Sequence, residues 1–229
     1  MCGRLSFVSS KEKIREQFGE QLEFEEPLLH SYNIAPTQQA YVLLNDRPTV
    51  LDRLVWGLTP HWAADTKDAA KRINARSEGI AEKPSFRQPI RQQRCVVLAD
   101  SFYEWQRLGK QKLPYRILRP DDRLLLLAGV WDRWKTPEGK VHRSFSVITT
   151  EPNEEMAAVH NRMPVLLNSF AEAQHWLGEL PLEAVLDMLK PAADGALKLY
   201  RVSEKVNAAY NDSPELHEKL PPPPPGLFG

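Results

Sequence analysis

The sequence predicts a single α+β domain built on mostly antiparallel strands, and three observations support that prediction. Short apolar runs rich in Val, Ile, Leu and aromatic residues crowd the middle of the chain. Stretches with helical spacing and capping residues lie towards its two ends. The connections between several of the apolar runs are short and carry Asn, Asp, Pro or Gly, as antiparallel neighbours require.

Lys11–Phe18 reads as the first helix, with Ser9 and Glu12 at the spacing of a capping box. Residues 41–44 and 49–56 read as strands around an Asn45-Asp46 turn. Further strands are expected over 94–99, 114–118, 124–131 and 145–150, with turns at Asp121-Asp122 and Pro137-Glu138-Gly139. Ser169 and Glu172 form a second capping box before a helix over 171–177, and a last helix over 182–190 is stopped by Pro191. Residues 197–202 read as a closing strand. The domain is expected to run over residues 1–220, leaving 221–229 as an extended polyproline tail.

With 42% hydrophobic and 26% charged residues, the 229-residue chain has the composition of a soluble globular protein. A net charge of zero excludes polyanion binding by bulk charge. The charge is uneven, however. Between Lys71 and Arg94 seven cations face only Glu78 and Glu82, which suits a confined phosphate contact. The two cysteines, Cys2 and Cys95, make neither a disulfide framework nor a zinc constellation, and no metal or organic cofactor is expected. Cys95 lies in an apolar run and is expected to be a buried strand residue. The chain shows no apolar signal-peptide core and no run of the ~18–20 apolar residues that a membrane span needs. An intracellular, reduced protein is therefore expected, cytoplasmic or nucleoid-associated and without a membrane partner.

Cys2 is the most reactive position. Removal of Met1 would leave it with an α-amine and a thiol on adjacent carbons, a 1,2-aminothiol that captures an aldehyde as an imine and closes a five-membered thiazolidine. Neither group needs a large shift, since a terminal amine titrates at about 7.7–8.0 and a thiol near ~8.5. In Tyr103-Glu104-Trp105 a carboxyl sits between two large rings beside an apolar run, where its pKa would be raised into the range of proton transfer. His160-Asn161-Arg162 joins an acid/base group to an anion-binding one. Asn74 and Arg76 share a face if the backbone is extended. Trp56 is expected in the core, and Trp62, after a turn rich in Gly and Pro, is expected to be exposed to a stacking partner.

These segments, in this order, resemble the SOS response-associated peptidase (SRAP) family. Met1-Cys2-Gly3-Arg4 resembles its N-terminal signature. Residues 32–38, 56–62, 73–78, 94–95, 102–105 and 160–166 resemble its internal blocks, and 206–207 with 211–214 its closing segment. The resemblance covers residues 2 to about 217 and implies a barrel-like β core flanked by helices. It also implies recognition of abasic sites in single-stranded DNA and at single-strand/double-strand junctions, with a covalent crosslink through Cys2. Peptidase-like removal of Met1 and lyase-like release belong to the same expectation. Carried over by position, Cys2, Asn74, Glu104 and His160 would be catalytic. Gly3, Arg4, Asn33, Pro36, Trp62, Arg76, Trp105 and Arg162 would contact DNA, with the chain acting as a monomer. Gly79, Leu98, Ser101, Ala63 and Asn161 depart from the family pattern. Ala63 bears on base wedging and Asn161 on the charge beside His160.

Two other readings remain open on the sequence. An N-terminal-nucleophile amidohydrolase would use Cys2 to form a thioester. A non-covalent single-stranded DNA-binding module would leave Cys2 incidental. A protease pairing Cys2 with His160 is a third, for which the sequence offers no substrate pocket.

Overall fold

The computed structural model describes residues 2–136 and 138–221. Pro137 of the expected turn and the tail beyond residue 221 lie outside them. In chain order the elements are β1 (Arg4–Phe7), α1 (Lys11–Phe18), β2 (Glu23–Phe24), β3 (Ser31–Ile34), β4 (Gln39–Leu44), β5 (Arg47–Trp56) and β6 (Asn74–Arg76). Then come α2 (Pro89–Gln92), β7 (Arg94–Ala99), β8 (Ser101–Leu108), β9 (Gln111–Leu118), β10 (Leu125–Lys135) and β11 (Val141–Thr150). The chain closes with α3 (Glu154–Ala157), β12 (Met163–Pro164), α4 (Phe170–Leu177), α5 (Leu182–Asp187) and β13 (Lys198–Arg201).

The heart of the fold is a closed barrel of β5, β4, β7, β10 and β11. Neighbours run antiparallel until β5 meets β11 in a parallel pairing, Ser144 opposite Val55 and Phe145 opposite Trp56. The α+β class and the barrel-like core therefore hold. β7 is buried at all six positions, which explains its unbroken apolar run. Its neighbour β10 approaches closely at Gly129, where a Cβ would lie 2.8 Å from Cys95 Sγ and 2.9 Å from the Ser146 carbonyl oxygen. Helix α4 seals the outside of β7: Trp176 Nε1 donates to the Cys95 carbonyl at 2.9 Å, and Arg94 Nε donates to the Trp176 carbonyl at 2.8 Å.

A second, antiparallel sheet runs in the order β13-β9-β8-β1-β3. It carries the main core on one side, including Leu5, Phe7 and Phe102. A smaller cluster of Tyr103, Val202, Val206 and Leu216 lies beneath the chain's last segment.

Cys95 and Trp56 are fully buried, as expected. Some boundaries differ from expectation for physical reasons. Ser10, not Ser9, caps α1 by accepting from the Lys13 N–H, because the Ser9 hydroxyl is drawn away to Asp100 Oδ1 at 2.6 Å. At α4 Ser169 does cap, but Glu172 turns back to the Asn168 N–H rather than to that of Ser169. Helix α5 stops at Asp187 because its last turn tightens, with Leu189 N–H bonding the Leu186 carbonyl three residues back.

Candidate active site around Cys2

Cys2 enters β1 fully buried in the main core. Its carbonyl accepts the Asn74 Nδ2–H at 2.7 Å. Asn74 is held by β6, which adds in parallel to β11 with Asn74 opposite Val147. Trp56 fixes the preceding residue, its Nε1 donating to the Ile73 carbonyl at 2.9 Å. Strand alternation puts Asn74 and Arg76 on one face and the buried Ala75 on the other.

Glu104 comes from β8, next to Tyr103, which pairs with Arg4 of β1. That pairing lays the start of the chain alongside the carboxyl. Glu104 is only 2% exposed, and burial pushes its pKa up. Burial likewise pushes the Cys2 thiol far above its ordinary value, and the charge of Glu104 adds to the effect. The thiol is therefore protonated at neutral pH. His160 follows α3, and its Nδ1 accepts the Arg162 N–H at 3.0 Å, which leaves the proton of the neutral ring on Nε2. Burial lowers its pKa to about 4, with the charge of Arg107 acting in the same direction and the bond from the Arg162 N–H opposing it.

Glu104 and His160 line one open cavity of about 460 Å³ with Trp105, Arg107, Lys112 and Asn207. Arg107 and Lys112 stand directly opposite each other in the β8–β9 ladder. Like charges so placed repel, and an anion between them relieves the repulsion. Neither was expected from the sequence, because only the register of the hairpin pairs them.

The expected DNA contacts separate into two groups. Arg76 is exposed on β6. Arg162 donates to the Thr149 carbonyl at 2.6 Å, and Thr149 is the residue opposite Arg76, so the two arginines meet at one point of β11. Arg162 is also held by Glu78, with contacts at 2.5 and 2.9 Å, and this guanidinium lowers the Glu78 pKa to about 2. Trp62 is 55% exposed. Arg4 and Asn33, by contrast, face inward. Arg4 Nη1 donates to Asn33 Oδ1 at 2.6 Å and to the Val206 carbonyl at 2.7 Å. Asn33 Nδ2 donates to the carbonyls of Ala208 at 3.1 Å and Asn211 at 2.7 Å. Both residues therefore clamp the closing segment 206–211, and Trp105 joins them, its Nε1 donating to Asn207 Oδ1 at 2.6 Å. Gly3 lies between Cys2 and β1, half-buried. Of the expected site residues, Glu104, His160 and Trp105 line the cavity; Cys2, Gly3, Arg4, Asn33, Pro36, Trp62, Asn74, Arg76 and Arg162 are not in its lining. Pro36 precedes Thr37, whose N–H bonds the Trp56 carbonyl at 2.8 Å where the Trp62 segment departs.

Among the described residues, no three His, Cys, Asp or Glu side chains gather as a metal site, and no helix is long and apolar enough to cross a membrane.

The family model for the SOS response associated peptidase (SRAP) matches residues 1–209. The abasic site processing protein YoqW of Bacillus subtilis is 43% identical over 223 residues, spanning 95% of this chain and 99% of its own. The abasic site processing protein HMCES of Gallus gallus is 32% identical over 219 residues, covering 81% of this chain and 65% of its own. A crystal structure of a protein from Bacteroides thetaiotaomicron superposes with a TM-score of 0.84 at 27% identity, covering 96% of this chain and all of that one. A family model that matches residues 1–209 and a relative 43% identical over 95% of the chain together show that the chain belongs to the SRAP family.

Proposed function

We propose that this chain captures abasic sites in single-stranded DNA through a thiazolidine formed by Cys2. The observation that carries this reading is the 2.7 Å bond from Asn74 Nδ2 to the Cys2 carbonyl, which fixes that residue within the field of the buried Glu104 carboxyl. The names of YoqW and HMCES support the substrate class.

Met1 is removed first, by an aminopeptidase or by self-processing. His160 Nε2–H hydrogen-bonds the ring oxygen of the deoxyribose, and as the sugar opens to its aldehyde Glu104 takes the proton of the C1′ hydroxyl and the ring oxygen gains one in its place. The Cys2 amine adds to C1′, and Glu104 takes a proton from nitrogen and returns one to the hydroxyl, which leaves as water. A carboxyl with a raised pKa suits both transfers. The thiol is protonated, so the amine is the first nucleophile. Sulfur then adds to the imine carbon, and the thiol proton ends on nitrogen.

Arg76 and Arg162 on one side of the site, and Arg107 with Lys112 on the other, hold flanking phosphates. Arg4, Asn33 and Trp105 shape the channel through the closing segment. Trp62 stacks on a neighbouring base. Such contacts carry little sequence preference, and one protomer supplies them all, so the chain works as a monomer on single strands and their junctions with duplex. Residues 1–220 form the unit, with the DNA substrate drawing it to the nucleoid.

The test is intact-mass spectrometry before and after incubation with a single-stranded oligonucleotide bearing one abasic site. The expected result is loss of Met1 and a gain equal to the oligonucleotide less one water, abolished in Cys2→Ala. An undiminished adduct in Cys2→Ala would overturn the mechanism. A retained Met1 without adduct would instead favour non-covalent binding.

A further inference from the structure

We propose that Asp132 and Trp134 are positioning residues that hold Trp62 as a rigid stacking platform for a base flanking the lesion. The inference rests on the reading of Trp62 as a base-stacking residue.

Trp62 is largely exposed, yet the backbone that carries it is pinned almost residue by residue. Gly57 N–H bonds the Phe145 carbonyl at 2.9 Å, and Leu58 N–H the Arg72 carbonyl at 3.1 Å. Thr59 N–H bonds Ser144 Oγ at 2.8 Å. Gly57 itself has φ 131°, and a Cβ there would stand 2.8 Å from the Ala69 carbonyl oxygen, so the segment leaves the barrel through a passage that admits only glycine.

The two residues on either side of Trp62 are each gripped by a side chain of β10. Before it, Asp132 Oδ2 accepts the His61 N–H at 2.9 Å and contacts His61 Nδ1 at 3.1 Å. After it, Trp134 Nε1 donates to the Ala63 carbonyl at 2.7 Å. Asp132 and Trp134 are two apart on a strand and so emerge on the same side of it. Asp132 is 1% exposed, and its other oxygen accepts from Gln93 Nε2 at 3.3 Å and the Arg133 N–H at 2.8 Å. A buried carboxylate that accepts from three donors, on both of its oxygens, loses at least one of these bonds when it is replaced by an amide, which has only one oxygen and would point its own N–H groups at donors.

Such bracketing matters for stacking. An indole on a loose loop must be ordered when a base arrives, and that ordering subtracts from affinity. An indole fixed beforehand delivers its stacking in full.

The test is a double-mutant cycle read by the dissociation constant for a single-stranded oligonucleotide carrying a tetrahydrofuran abasic analogue, which has no aldehyde and cannot crosslink. Trp62→Ala should weaken binding about tenfold. Asp132→Asn and, separately, the milder Trp134→Phe should each weaken it about three- to tenfold. Neither should weaken it further in the Trp62→Ala background. Losses of equal size in both backgrounds would mean a general structural role and overturn the inference. So would unchanged affinity in both β10 variants, or a Trp62→Ala protein that binds like wild type. The covalent reading fails separately: a wild-type protein that makes no adduct on aldehydic abasic DNA, but keeps this coupling on the analogue, would remove the chemistry and leave the platform standing.

Discussion

Burial and neighbouring charges shift the proton affinity of three side chains, Glu104 upward and His160 and Glu78 downward. Glu104 is the clearest. A carboxyl whose folded pKa lies above its ordinary value of 4.5 binds its proton more tightly in the folded state. Its contribution to stability is full at low pH and is lost as pH rises through the folded value. Glu104→Gln should therefore make the protein more stable at neutral pH by about 0.5–2 kcal/mol, seen in chemical denaturation, while slowing adduct formation. His160 behaves in the opposite sense. With its pKa lowered to about 4, it is neutral throughout the physiological range, and the unfolded chain takes up its proton first as pH falls below 6.5. Its share of stability is lost from about pH 6.5 down to about 4. The single-turnover crosslinking rate should show no inflection near 6.5 traceable to His160, and a histidine-dependent step there would refute its role as a neutral donor. Glu78 is the third. Its side chain is about half exposed although Arg162 is largely buried, so solvent and a DNA phosphate reach the carboxylate's side of the pair and can displace it from Arg162. Glu78→Gln should tighten non-covalent DNA binding about two- to fivefold at low salt, measured by fluorescence anisotropy.

At the scale of elements, the tightest constraint is the approach of β10 to β7 and β11. Gly129→Ala puts a methyl against a sulfur and a backbone oxygen, and the oxygen cannot rotate away. The expected cost is about 1–3 kcal/mol in urea denaturation, without a change in the site's chemistry. Elements with strong local character were legible in the sequence: β7, an apolar run of strand length, and α1, with its helical spacing. β1, β3 and β6 were not. They are three or four residues long, and their extended state is imposed by partners far along the chain. The cap of α1 was misplaced by one residue because Asp100, some ninety positions away, competes for Ser9. The site was legible in the same uneven way. The residue types and order of the segments around Cys2, Asn74, Glu104 and His160 single them out, and the structure ties Cys2 to Asn74 and puts Glu104 and His160 in one cavity. Arg107 with Lys112 requires the hairpin register, and the inward turn of Arg4 requires the carbonyls of a segment 200 residues on.

For the molecule as a whole, barrel closure by the β5–β11 pair fixes where two groups of cationic side chains lie. Arg76 and Arg162 converge on β11, while Arg107 and Lys112 belong to the second sheet. Binding to single strands should weaken with salt, and Arg76→Ala should lower the log–log slope by about 0.7 while leaving the difference between sequences unchanged. The bond from Arg4 to the carbonyl of Val206 joins positions 202 apart in the chain. On the ribosome, the partners Asn74 of Cys2 and Asn33 of Arg4 emerge early, but the Val206 carbonyl that Arg4 also grips exists only once residues beyond 206 have been synthesised. A nascent or prematurely terminated chain thus lacks the closing segment that Arg4, Asn33 and Trp105 hold, so the final stretch of translation completes the wall around the start of the chain.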